Sequence, residues 1–193
     1  MSKEYWNNLY DKDEVGWDIG FPSPAIKEYI DQLTNKGISI LIPGCGNAYE
    51  AEYLIAQGFT NVTVIDIAPS LTAALESKFK NENGKTIKII TDDFFNHNGA
   101  YNLIIEQTFL SALSPSVRPQ YVDKMHSLLV KGGHLTGILF GRVFEEEGPP
   151  YGGTPQEYKQ MFSKKFKIKK LEPCYNSIER RKGSEVFINL IAK

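Results

Sequence analysis

Ile38-Ser-Ile-Leu-Ile-Pro-Gly-Cys-Gly-Asn-Ala48 decides how the chain folds. Its apolar run reads as a short buried strand, and the proline and two glycines that follow read as a tight turn. A helix is expected from about Ala48 to Gln57, stopped by Gly58 at the position where a left-handed residue ends a helix. Outward from this strand–turn–helix unit the same rhythm repeats. Strands are expected at residues 62–66, 86–91, 101–106 and 134–140. Helices fill the gaps, one from Pro69 to about Lys80 and one from Ser116 to Leu129. For the latter, Ser114 or Ser116 is the candidate cap and Gly132-Gly133 the stop. Regular strand–helix alternation means right-handed crossovers and parallel strands.

The last forty residues break that rhythm. A helix from Thr154 to about Lys164 is followed by strands at 166–171 and 185–191. The charged segment 177–183 between them has no apolar helical face, so the two strands form an antiparallel hairpin. The expected fold is α/β: a Rossmann-like, seven-stranded, mostly parallel sheet with an antiparallel C-terminal hairpin strand and helices on both faces. It forms a single domain over residues 1–193, with residues 1–34 preceding the sheet as an N-terminal helical arm.

Several residues at the strand ends carry chemistry. Gly44 and Gly46 let a ligand approach the backbone, with the amides of the next helix exposed behind them. Asp66 ends the second strand 20 residues after Gly46 (66 − 46), the spacing at which a carboxylate accepts from a ribose diol. Thr91-Asp-Asp-Phe-Phe95 puts Asp93 where it can accept from an adenine amino group, with Phe94 to pack the ring. The plainer alternative is a tight turn with two capping aspartates. A dinucleotide fingerprint fails at Tyr49, which stands where a third glycine belongs, and no G-K-[ST] phosphate loop exists. Two acidic readers plus a terminal hairpin favour S-adenosylmethionine over a nicotinamide cofactor.

Composition narrows the partners. The 193 residues carry 22 Lys and Arg against 23 Asp and Glu, a net charge of −1. That balance supplies no field to recruit nucleic acid or an anionic membrane. No apolar run approaches the ~18 residues of a membrane span, and the first residues lack the apolar core of a signal peptide. Cys45 and Cys174 are too few for a disulfide framework, which fits a reducing, cytoplasmic setting. His97, His126 and His134 share no ligand spacing, so no metal is expected. The lysines at 164, 165, 167, 169 and 170 read as the guard of an edge strand. Glu145-Glu-Glu147 reads as a solvated acidic run.

Read together, Trp6-Asn-Asn-Leu-Tyr10, Val15-Gly-Trp-Asp18, Phe21-Pro-Ser-Pro24, Leu41-Ile-Pro-Gly-Cys-Gly46, Thr108-Phe-Leu-Ser-Ala-Leu113, Arg118-Pro119 and Gly148-Pro-Pro-Tyr151 are recognisable. The chain resembles the class I S-adenosylmethionine-dependent methyltransferases, and within them the thiopurine methyltransferase family with its thiol and halide branch. The resemblance implies that Trp6, Tyr10 and Trp17 enclose the cofactor, with residues 1–34 acting as a lid. It implies the same binding role for Gly44, Asp66, Asp93 and Phe94, and places Gln107 where relatives carry a Tyr or Arg. It sets Phe140 where the halide branch has a Tyr near the acceptor. The rings also make sense alone, since aromatic faces attract a sulfonium, although an arm merely docked on the core would use them too.

Arg142 and Arg118 are candidates to hold an anionic acceptor, and Glu106 to take a proton from a neutral thiol. The expected reaction is methyl transfer to a small soft nucleophile, a thiol or bisulfide, by a chain that works as a monomer. Halide, thiocyanate or thiopurine transfer and a non-catalytic nucleoside-binding module are the alternatives.

Overall fold

The computed structural model describes residues 1–145 and 148–193. Seven strands form its sheet: β1 (Ile40–Pro43), β2 (Val62–Asp66), β3 (Ile87–Thr91), β4 (Tyr101–Gln107), β5 (Leu129–Phe140), β6 (Phe166–Pro173) and β7 (Glu185–Ala192). Their order is β3-β2-β1-β4-β5-β7-β6. The first five run parallel to one another, while β7 runs antiparallel to both β5 and β6. The lysine-rich β6 therefore lies at an edge, where its charges discourage pairing with another chain.

Among the described residues six α-helices surround the sheet: α1 (Lys3–Asp11), α2 (Pro24–Asp31), α3 (Tyr49–Ala56), α4 (Pro69–Lys78), α5 (Arg118–Leu128) and α6 (Pro155–Phe162). Every residue of β1 is buried, because the strand has a layer on each side. Ile40 and Ile42 join a core with Ile26 and Ile30 of α2, Leu54 of α3 and Leu71 and Leu75 of α4. Leu41 points the other way, into a core with Tyr121 and Met125 of α5 and Tyr158 and Phe162 of α6. Each such buried aliphatic side chain contributes roughly 1.5–3 kcal/mol of transfer free energy, before chain entropy opposes it.

Two local expectations are corrected. Ser114 does cap, but its hydroxyl accepts from the Ser116 amide and starts a separate 3₁₀ turn, Pro115–Val117. Helix α5 begins only at Arg118 and has no side-chain cap. The Gly132-Gly133 pair lies inside β5 and does not end the helix, since β5 starts at Leu129 opposite Tyr101. The register shifts between Tyr101 and Leu103, and Gly132 takes φ +77° beside that irregularity. A bulge and a helix stop both call for positive φ, so a glycine there reads alike in sequence.

The arm preceding β1 holds α1 and α2. It is tied to the sheet layer at both ends. Asn7 Oδ1 accepts from the amide and hydroxyl of Ser70 at the start of α4. The Ser23 amide donates to the buried Glu50 carboxylate of α3 at 2.9 Å.

Candidate active site

The order β3-β2-β1-β4-β5 puts the topological switch between β1 and β4, and loops leaving the strand ends converge there. A cavity of about 400 Å³ opens at this place. Gly44 lines it from after β1, Asp66 and Ile67 from β2, Asp92 to Phe95 from after β3, and Gln107 to Phe109 from after β4. Trp6, Tyr10 and Trp17 of the arm close one side. A larger cavity of about 560 Å³ lies under α2 at the opposite end of the strands. Among the described residues no loop that follows a parallel strand reaches it, and it holds none of the expected site residues.

The glycine turn is built from left-handed residues in alternation: Gly44 at φ +55°, Gly46 at +50° and Ala48 at +55°. Its glycine at 44 answers a second demand. A Cβ there would fall 2.2 Å from Cδ2 of Phe109, so the ring packs directly on the Gly44 backbone. Asp66 is 8% exposed, and burial lifts its carboxyl above the usual range while backbone hydrogen bonds oppose that rise. Oδ2 accepts from the Gly46 amide at 3.3 Å and Oδ1 from Ala68 at 3.1 Å. A carboxylate has about four lone-pair sites, so acceptor capacity is left over for a diol. Cys45 is buried with its thiol pushed well above the ordinary range, chiefly by desolvation, and so fills space.

The remaining expected contacts divide. Asp93 lines the cavity and also caps a 3₁₀ turn, Phe94–Asn96, by accepting from the Phe95 amide at 2.8 Å. Phe94 packs edge-on against Phe95 and Phe109, with centroids 5.4 and 5.2 Å apart. Trp17 stands edge-on to Trp6 at 5.5 Å and to Tyr10 at 5.8 Å, so the three rings form one cluster. Gln107 lines the cavity, and its buried Oε1 has no partner among the described residues. An unpaired buried acceptor at a cavity wall suits a ligand that brings a donor.

None of the three proposed catalytic side chains lines the cavity. Arg142 is exposed and stacks on Phe144, 4.6 Å from the ring centroid. Arg118 donates to the Gly152 carbonyl at 2.6 Å. Glu106 is fully buried, with one oxygen accepting from the Leu110 amide at 3.1 Å and the other from the Tyr121 hydroxyl. Phe140 likewise turns away, against Phe144 and Arg181. Of the acidic run, Glu146 and Glu147 lie outside the described residues. The cavity is also walled by Phe109, Ser111, Leu113, Ser114, Val117, Gln120, Pro149 and Pro150. Most belong to motifs quoted above, but their shared wall depends on Tyr151 donating to the Ser111 carbonyl at 2.7 Å, which no local pattern reveals.

Burial raises the Glu106 carboxyl to about 7, against the lowering effect of the Tyr121 and backbone donors. Since the folded value lies above the unfolded one, stability from this group is full below pH about 4.5 and is lost as pH rises through about 7. The loss amounts to about 3 kcal/mol, at 1.36 kcal/mol per unit. Urea unfolding of the wild type between pH 4.5 and 8 should show this decline, and Glu106→Gln should flatten it.

A sheet of this order, with an acidic strand end, a glycine turn and a cavity across the switch point, is that of an S-adenosylmethionine-dependent methyltransferase. The model of the thiopurine S-methyltransferase (TPMT) family matches residues 1–189, and the chain belongs to that family. It is 30% identical over 159 residues to a probable thiol methyltransferase 2 of Arabidopsis thaliana, covering 81% of this chain and 70% of the relative. It is 25% identical over 184 residues to thiocyanate methyltransferase 1 of the same plant, covering 93% and 81%. The solved 1,6-didemethyltoxoflavin-N1-methyltransferase of Burkholderia thailandensis, with bound S-adenosylhomocysteine, shares the fold at TM-score 0.79 and 14% identity, covering 99% of this chain and 87% of that one.

Proposed function

We propose that this chain transfers a methyl group from S-adenosylmethionine to a small soft nucleophile, a thiol or bisulfide. The observation that carries the reading is the cluster of Trp6, Tyr10 and Trp17 over the same cavity as Asp66. Three carboxylates, Asp66, Asp92 and Asp93, line that cavity, and among the described residues no Lys, Arg or His side chain does. Such a wall favours a cation. When bound, the cofactor supplies a methyl group activated by positive sulfur.

In this reading the arm is a lid, Asp66 accepts from the ribose, Asp93 and Phe94 frame the adenine, and Gln107 Oε1 accepts from a donor of the cofactor. The neutral wall from Phe109 to Pro150 holds the acceptor and excludes water, which raises the reactivity of a soft nucleophile without a dedicated base. A free thiol with pKa near 8.5 is already a few per cent thiolate at pH 7. Two free buried cysteines fit action in the reducing cytoplasm. The cavity size suits a small molecule, with the chain working as a monomer and without nucleic acid.

The test is an acceptor series. Uncharged small thiols and bisulfide should turn over faster than carboxylate-bearing thiols of equal size, and faster than iodide, thiocyanate or a thiopurine. Preference for iodide over every thiol would overturn the acceptor choice, and no turnover with any compound would leave a binding module. Because Arg142 faces Phe144, Arg142→Met should leave kcat/KM for bisulfide within about two-fold. A ten-fold fall would restore Arg142 as the anchor of the anion.

A further inference from the structure

The 3₁₀ turn Glu179–Arg181 sits in the loop between β6 and β7, far in sequence from any cofactor residue. Its Arg181 is nevertheless 8% exposed, a burial unusual for arginine. One guanidinium nitrogen lies 3.3 Å from Oε1 of Glu185, itself 6% exposed. Another donates to the main-chain carbonyl of Trp17 at 2.6 Å. The guanidinium carbon also lies 5.4 Å over the ring of Phe140. The neighbouring Arg180 donates to the carbonyl of Asp18 at 2.6 Å. On its other side, the Asp18 carboxylate accepts from Asn47 of the glycine turn and from the Tyr49 hydroxyl.

Trp17 needs such an anchor. It lies outside α1 and α2, remains 37% exposed, and its ring touches the rest of the cluster edge-on at Trp6 and Tyr10. Without the arginine fork, its stretch of backbone is held mainly by the polar contacts of Asp18. The planar fork serves both partners at once, a carboxylate and a carbonyl, which a lysine's single ammonium does poorly.

We propose that Arg181 is a positioning residue for the cofactor: its guanidinium holds the Trp17 backbone so that the indole walls the cavity, making the C-terminal hairpin part of the cofactor site. The inference rests on the reading that Trp6, Tyr10 and Trp17 enclose the cofactor.

Removing Arg181 alone would strand a buried carboxylate, a strongly destabilising change. The test therefore pairs Arg181→Met with Glu185→Leu, since apolar replacement of a buried ion pair is often tolerated. Calorimetry with S-adenosylhomocysteine should show about ten-fold weaker binding, as expected if Trp17 then stands in place in only about one molecule in ten. Glu185→Gln, which keeps the donor to Trp17, should stay within about two-fold. In a Trp17→Ala background the paired change should add less than about two-fold, because the wall it positions is gone. Trp6 and Trp17 are the chain's 2 tryptophans, so ligand-induced change in intrinsic fluorescence reports the cluster directly and should shrink in the paired variant. Should that variant fail to fold, Arg181→Lys carries the same readouts and the same outcomes. Unchanged affinity in the folded paired variant overturns the proposal, as does a full repeat of the loss in the Trp17→Ala background. If Trp17→Ala itself binds as tightly as wild type, the enclosing cluster fails first and takes this inference with it.

Discussion

Asp66→Ala should weaken S-adenosylhomocysteine binding by roughly 10- to 150-fold, equivalent to about 1.5–3 kcal/mol for hydrogen bonds to a charged group. Its carboxylate stands at the end of β2 in the cavity wall, nearly buried. The same oxygens accept from the amides of Gly46 and Ala68, so the substitution also strands two donors. A drop in stability should accompany the loss, about 1–3 kcal/mol for each amide that water does not reach. Asp66→Asn separates the two effects. It retains one carbonyl acceptor and nearly the shape, so stability should recover more than affinity does. Calorimetry on protein shown to be folded by urea titration reads both. Wild-type affinity in folded Asp66→Ala would remove the ribose assignment.

The second large effect is expected from Trp6→Ala combined with Trp17→Ala. These rings meet edge-on at 5.5 Å and line the cavity together. An enclosed cation–π contact is worth about 0.5–2 kcal/mol per ring, so S-adenosylmethionine should bind on the order of 10- to 100-fold more weakly. S-adenosylhomocysteine lacks the positive sulfur and should lose markedly less. That asymmetry separates attraction to a sulfonium from plain packing. Equal losses for both ligands would reduce the rings to hydrophobic walls.

How far these residues could be read in advance follows from the range of the forces involved. β1, the glycine turn and α3 are written within some twenty consecutive residues, because strand period, turn chemistry and helix stop are local signals. The hairpin of β6 and β7 was legible for the same reason: charged residues between two apolar runs leave no face for a crossover helix. The start of β5 was not, since a glycine bulge and a helix stop share one backbone conformation at Gly132. Asp66, Asp93, Gln107 and the arm's three rings reach one cavity because each follows or overlies a strand end. Arg142 also follows a strand, but its guanidinium finds Phe144 first, and nothing in the order of residues tells which way a loop side chain turns. Glu106 lies one residue before Gln107 and alternation alone sends it inward, to Tyr121. The contact of Arg181 with Trp17 spans 164 residues, and only the assembled sheet brings those two loops together.

The central claim is that the cavity at the strand ends of β1 to β4 moves a methyl group from S-adenosylmethionine to a thiol. Mass spectrometry after incubation with methyl-deuterated S-adenosylmethionine and an excess of bisulfide or a small alkane thiol tests it most directly. The predicted result is a deuteromethyl thiol or thioether formed in step with S-adenosylhomocysteine, and greatly slowed in the Asp66→Ala protein. Absence of label in every acceptor, from protein that binds the cofactor, would contradict it.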